Sequence, residues 1–257
     1  MAFQHLSWAT RIFNKSYPYF LWVSEWEEKR RHLNVYILDL PNLVQDFKKR
    51  DSHPYEADSR ITIVDQIPRI RLASMCEAAA NSLYSMAELS AKFGNRASKS
   101  YFPEKFNQIR KKVEKGDYGN DLSLQIGDLQ WYKKIHEIRT EWVHHSTIFI
   151  GERDGEPIMV IRAYRRPSDK EEFSSEIQVT IPELIDWIKQ AIRTIDAFGD
   201  YLLLNYVIPS FPLDNEIHLP KYDQNGFPIM LPDNKFDTET ITVREYLRRG
   251  GITTKSN

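Results

Sequence analysis

A chain of 257 residues with 35 basic and 36 acidic side chains carries a net charge of -1, and 41% of its residues are apolar. That near-neutral balance supplies no global attraction to nucleic acid or acidic membranes, so any such partner must be met by a local patch. A single cysteine, Cys76, excludes an intrachain disulfide framework and a thiolate metal cluster within one chain; in the run LASMCEAAA it reads as a buried, inert thiol.

The first residues, MAFQHLSWATRIFNKSY, are polar and charged throughout and lack the apolar core of a signal peptide. Residues 3 to 50 are rich in aromatics, among them Trp8, Phe13, Tyr19, Phe20, Trp22 and Trp26, and are expected to form one or two helices packed on the body. DSHPYEADSR, 51–60, has the composition of a loop. From Asp65 the pattern is helical: Leu72, Met75, Ala79, Leu83, Met86 and Phe93 repeat near the 3.6 period, and Gly94-Asn95 reads as a stop. A shorter helix is expected over 103–114, with Pro103 in its first turn. Leu124, Asp128, Trp131, Ile135, Ile138 and Trp142 mark one side of the next.

After His145 the period changes to that of strands. Two β-rich runs flank Asp154-Gly155, a strong hairpin signal, and EIQVT suits a third strand. Thr180 and Glu183 match a capping box, with Pro182 in the first turn. The helix they open carries Leu184, Ile188, Ile192, Ile195, Leu202 and Tyr206 and is stopped by Pro209 and Pro212. Its run YLLLNYVI is far short of the roughly 20 residues of a membrane span. Residues 210–240, dense in Pro, Asn and Asp, are expected to wrap the surface before a short helix opened by Thr242 and Glu245. A soluble, cytoplasmic protein without a cofactor is expected. The divisions are 1–60, an aromatic-rich helical segment; 61–207, a helical domain with a β insertion; and 208–257, a C-terminal wrap.

The stretch IHEIRTEWVHHS, 135–146, holds the candidate chemistry. Glu137, Glu141 and His145 share a helix face, but a metal site needs further ligands, and Thr140 stands where a zincin-type motif needs histidine. We therefore expect no metal. Arg139 with His144 or His145 is a different proposition. A fork-shaped guanidinium suits a phosphate, and an imidazole titrating near neutrality can take a proton from a 2′-hydroxyl. On an unbroken helix positions 139 and 144 lie about 140° apart, so the two converge only at a helix end or across two subunits. The bland alternative has Arg139 paired with Glu137 or Glu141 and His144 capping the helix.

EIRTEWVHHS, set after two helices and before a long one, resembles the signature of the HEPN superfamily, the higher eukaryotes and prokaryotes nucleotide-binding domains. Their motif is an arginine, four to six variable residues and a histidine. Arg139 matches the arginine, and His144 and His145 both fit the histidine. Thr140 stands where Asn, Asp or His is usual. The resemblance covers about 65–206. The residue pattern itself reads as a mainly α helical bundle with a β-hairpin, about 147–165, inserted between its third and fourth helices, and the resemblance implies a HEPN-like bundle of four to five helices. It further implies a homodimer with the motifs facing one another in a cleft. In catalytic members it implies metal-independent endoribonuclease activity, often of toxin–antitoxin or phage-defence type with an antitoxin or other partner protein. In silent members it implies nucleotide or protein binding. Lys105, Arg110, Lys111 and Lys112 on one helix, and Arg162, Arg165 and Arg166 after the hairpin, are the candidate RNA contacts; solvated surface charge is the alternative for each group.

Overall fold

The computed structural model describes residues 20–51, 63–119, 122, 126–163, 175–210 and 213–249, with the backbone alone at 20–23, 50–51, 63–66, 140–147, 162–163, 175–176 and 210. Its core is helical. α1 (Phe20–Asp51) is one continuous helix that buries Trp26, Leu33, Leu40 and Phe47, each seven residues from the next. This stripe lies against α2 (Ile63–Ala97) and α5 (Ile181–Leu202). Between them in the chain come α3 (Phe106–Lys115) and α4 (Gln130–His145).

Several helix boundaries differ from the sequence expectation. Gly94-Asn95 does not end α2, which runs on to Ala97. A Cβ at Gly94 would stand 3.0 Å from the Phe198 ring, so the glycine serves the close approach of α2 to α5. The turn follows instead at Lys99 and Ser100, both with positive φ. The third helix begins at Phe106 rather than near Pro103, and it ends on Gly116 in the left-handed conformation. α4 likewise starts at Gln130, where the Asp128 carboxylate accepts from the Gln130 amide at 2.9 Å.

The β insertion is a three-stranded antiparallel sheet in the order β1 (Ser146–Arg153), β2 (Glu156–Ala163), β3 (Ser175–Thr180). Asp154 and Gly155 both take positive φ, as the twist of a two-residue hairpin requires. Ile158, Met159, Val160 and Ile161 are all buried, so the central strand is covered on both faces. β3 passes directly into α5 through the capping box: the Thr180 hydroxyl accepts from the Glu183 amide at 3.2 Å, and the Glu183 carboxylate accepts from the Thr180 amide at 2.8 Å. The α-helical part of α5 stops at Leu202, and a π-turn over Leu203–Val207 leads into a 3-10 turn at Ile208–Ser210.

The C-terminal segment is more ordered than a wrap. β4 (Glu216–Pro220) pairs antiparallel with β5 (Thr238–Thr242), followed by α6 (Val243–Arg249), whose Glu245 amide bonds the Thr242 hydroxyl. Between the strands, Lys221 donates to Asp237, Asp237 to Ile229 and Ile229 to Lys221. This closed ring of backbone hydrogen bonds of 2.8–2.9 Å joins three positions eight residues apart. Two tight turns hang from it, one around Gly226 and one around Asn234. Among the described residues no helix is long and apolar enough to cross a membrane.

One buried acidic pair sets an expectation for stability. Asp196 is paired with Arg30 at 3.1 Å, and one turn further along α5 the Asp200 Oδ1 is buried with no hydrogen-bond partner among the described residues. Burial pushes Asp196 up to about 6; burial and then the neighbouring Asp196 charge push Asp200 up to about 7. A carboxyl raised in the folded state stabilises below its unfolded pKa of about 4 and loses that contribution as pH rises through its folded value. Asp200→Asn is therefore expected to raise the melting temperature at pH 8 by about 2–4 °C, the shift that ~1 kcal/mol produces in a chain of this size, and to leave it unchanged at pH 4. Thermal melts at the two pH values check this.

Candidate functional site

Beside the buried stripe of α4, formed by Trp131, Ile135 and Ile138, runs a second stripe of Tyr132, His136 and Arg139, spaced i, i+4, i+7. It faces a matching row on α2: Asn81, Tyr84 and Glu88. The rows meet antiparallel. Arg139 Nη1 donates to Asn81 Oδ1 at 3.0 Å, and its guanidinium lies 4.4 Å from the centre of the Tyr84 ring. Tyr84 lies parallel to His136 at 6.1 Å and to Tyr132 at 6.2 Å, and the Tyr132 hydroxyl donates to Glu88 Oε1 at 2.8 Å.

Burial and the bond to Glu88 push the Tyr132 hydroxyl far up, so it stays protonated and holds that carboxylate in place. Burial lowers the pKa of His136, and its Nε2 lies 3.2 Å from Asn107 Nδ2 on α3; with the amide as donor, the neutral imidazole accepts there. Asn107 in turn accepts from Arg110, which is also bound to Glu114 at 2.6 Å. A polar chain thus links α3 to the Arg139 face.

Arg139 lines a cleft of about 500 Å³ between α1, α2 and α4, with Glu25 and Lys29 from α1 and Ser85, Glu88 and Lys92 from α2. Among the described residues none of these five charged side chains lies within 4.0 Å of an opposite charge. The Glu25–Lys29 and Glu88–Lys92 spacings would each allow an i,i+4 pair. A cleft lined by charges that do not satisfy one another suits a ligand bearing both an anion and hydrogen-bond donors.

The other predicted residues are placed less closely together. α4 is unbroken through His145, so positions 139 and 144 lie about 140° apart around one axis. The side chains of His144, His145 and Glu141 lie outside the described residues. Lys105, at the N-cap of α3, and Lys111 and Lys112 on it are exposed, with Lys112 5.6 Å from the Tyr118 ring, while Arg110 is largely buried. Arg162 lies on β2 opposite Thr147 and Glu176, and Arg165 and Arg166 lie outside the described residues. Cys76 is fully buried, and burial pushes its thiol up to about 12, far from the thiolate a nucleophile needs. Among the described residues no three His, Cys, Asp or Glu side chains gather as metal ligands.

Sequence reasoning missed Asn81, Tyr84, Glu88, Tyr132 and His136. Their signal was a second polar and aromatic row beside the apolar stripe of each helix. His136 in particular stands three residues before Arg139, on the same face, whereas His144 does not. Compared with known proteins, the chain matches no family model, no curated protein and no solved structure.

Proposed function

We propose that the chain is a metal-independent endoribonuclease of toxin or defence type on a HEPN-like helical bundle, acting as a homodimer. Arg139 holds the scissile phosphate. The histidine at 144 or 145 of a second copy takes the proton of the RNA 2′-hydroxyl, whose oxygen attacks phosphorus. The 5′-oxygen leaves with a proton from water, giving a 2′,3′-cyclic phosphate and a 5′-hydroxyl, and the histidine returns its proton to solvent. The second copy is needed because an unbroken α4 separates the two positions within one chain.

The observation that carries this reading is the state of Arg139: a guanidinium fixed by Asn81 and Tyr84, in a cleft with Lys29 and Lys92, and with no carboxylate in ion-pair reach among the described residues. Such a fork is preorganised for a phosphate and for the charge that builds on it during transfer.

The test is RNA cleavage by the purified protein in EDTA, with His144→Ala and His145→Ala alongside. Activity that survives EDTA and falls about 100-fold or more with one histidine supports the reading and identifies the histidine. A second reading, a non-catalytic nucleotide-binding module, is favoured by the same unbroken helix, since Arg139, Tyr84 and Asn81 meet within one chain while positions 144 and 145 fall on other sides of the α4 axis. Wild-type protein inert on total RNA, tRNA and mRNA, yet binding nucleotide through Arg139, would select it.

A further inference from the structure

The two carboxylates in the Arg139 cleft are unexpected in a site that only grips a phosphodiester backbone, because they repel phosphate. They need hydrogen-bond donors on the ligand. We propose that the cleft takes a guanine nucleotide, with Glu88 reading the Watson–Crick edge of the base; this rests on the reading of the Arg139 cleft as a nucleotide site.

The arrangement along α2 supports it. Asn81, Ser85, Glu88 and Lys92 follow one another along one face at spacings of four, three and four residues. Arg139 sits at the Asn81 end, and from Asn81 to Glu88 the helix rises about 10 Å, enough to separate a phosphate from the far edge of its base. With the phosphate at Arg139, the Tyr84 ring, one face of it covered by the guanidinium, lines the path between phosphate and base. The edge of the base then falls at Glu88, one helical turn further on.

Glu88 is fixed for that role. Tyr132 donates to its Oε1 at 2.8 Å, which orients the carboxylate and leaves lone pairs on both oxygens. Guanine is the RNA base whose pairing edge presents two adjacent donors, N1–H and the N2 amino group, and these match the two oxygens of one carboxylate. Beside them lies the O6 acceptor, which Lys92, one turn beyond Glu88, is spaced to reach. Adenine, cytosine and uracil each offer a donor at one position of that edge, so they leave one carboxylate oxygen unmatched.

The experiment is calorimetric titration of the full chain with guanosine, adenosine, cytidine and uridine 5′-monophosphates, for wild type, Glu88→Gln and Arg139→Ala. Guanosine monophosphate is expected to bind about tenfold tighter than the other three, the discrimination of one bidentate contact. Glu88→Gln is expected to remove that preference, bringing guanosine monophosphate to within about twofold of the other three. Arg139→Ala is expected to weaken all four alike. Equal binding of the four, or a preference for another base, overturns the guanine assignment and leaves the nucleotide site standing. A guanine preference that Glu88→Gln does not change also overturns it. No binding of any nucleotide at millimolar concentration overturns the assignment and the nucleotide reading of the cleft together.

Discussion

Arg139→Ala is expected to lower RNA cleavage by about 100- to 1,000-fold, the loss seen when one preorganised donor to a developing oxyanion is removed. The fold should survive. Arg139 is half-buried and its removal deletes one hydrogen bond to Asn81, worth about 1 kcal/mol, with the Tyr84 ring left to face water. Arg139→Lys separates charge from shape: the ammonium keeps the positive charge but cannot reproduce the planar fork or its stacking on Tyr84. Its activity should fall between wild type and alanine. Single-turnover cleavage in EDTA, with circular dichroism to verify folding, measures all three. An Arg139→Ala enzyme as active as wild type would remove Arg139 from the chemistry.

The largest stability effect is expected at Phe102. Its ring is fully buried and lies 4.8 Å from Tyr118, 5.3 Å from Phe198, 5.8 Å from Tyr206 and 5.1 Å from Tyr101, the centre of an aromatic cluster between the end of α2 and the start of α3. Its backbone is held as well: the amide donates to the Ser98 hydroxyl at 3.1 Å, and the carbonyl accepts from Asn95 at 2.6 Å. Phe102→Ala leaves a cavity that this fixed loop cannot close, and is expected to cost about 3–5 kcal/mol in urea unfolding. Tyr101→Ala, at a ring that is 51% exposed in the same cluster, is expected to cost about 1 kcal/mol. Equal costs at the two positions would mean that the loop collapses onto the space left by Phe102.

What could be read in the sequence depended on whether the signal was local. The hairpin was legible because Asp154-Gly155 must itself adopt positive φ, and the start of α5 because Thr180 and Glu183 satisfy each other. Gly94 was misread for a physical reason: a glycine ends a helix when it adopts the left-handed conformation, but it continues one when a neighbouring helix needs the room. Only Phe198, more than a hundred residues away in the chain, decides between them. The start of α3 was misplaced similarly, since Pro103 suits a first turn but the Asn95 and Ser98 contacts hold the chain back until Phe106.

The candidate site was legible only in part. Arg139 was found through a one-dimensional spacing, and that spacing favoured His144 over His136, although the helical period places His136 beside Arg139. Tyr84, Glu88 and Asn81 were hidden because each lies next to an apolar position on α2 and looks like the polar margin of a core helix. The antiparallel pairing of α2 with α4 turns those two margins into one surface, and a pairing of that kind is tertiary information.

The ring of backbone bonds joining Lys221, Ile229 and Asp237 bears on how this protein can change over time. Closure there asks only for amides and carbonyls, so it places little demand on which side chains the two turns carry. Tyr222, Phe227, Met230 and Phe236 are all more than half exposed around it, and they contribute little to the packing of the body. The turns are in that sense interchangeable parts on a fixed mount. Swapping one for another of equal length should leave the helical core untouched, which makes this the place where new surface chemistry can be tried at low risk to the fold.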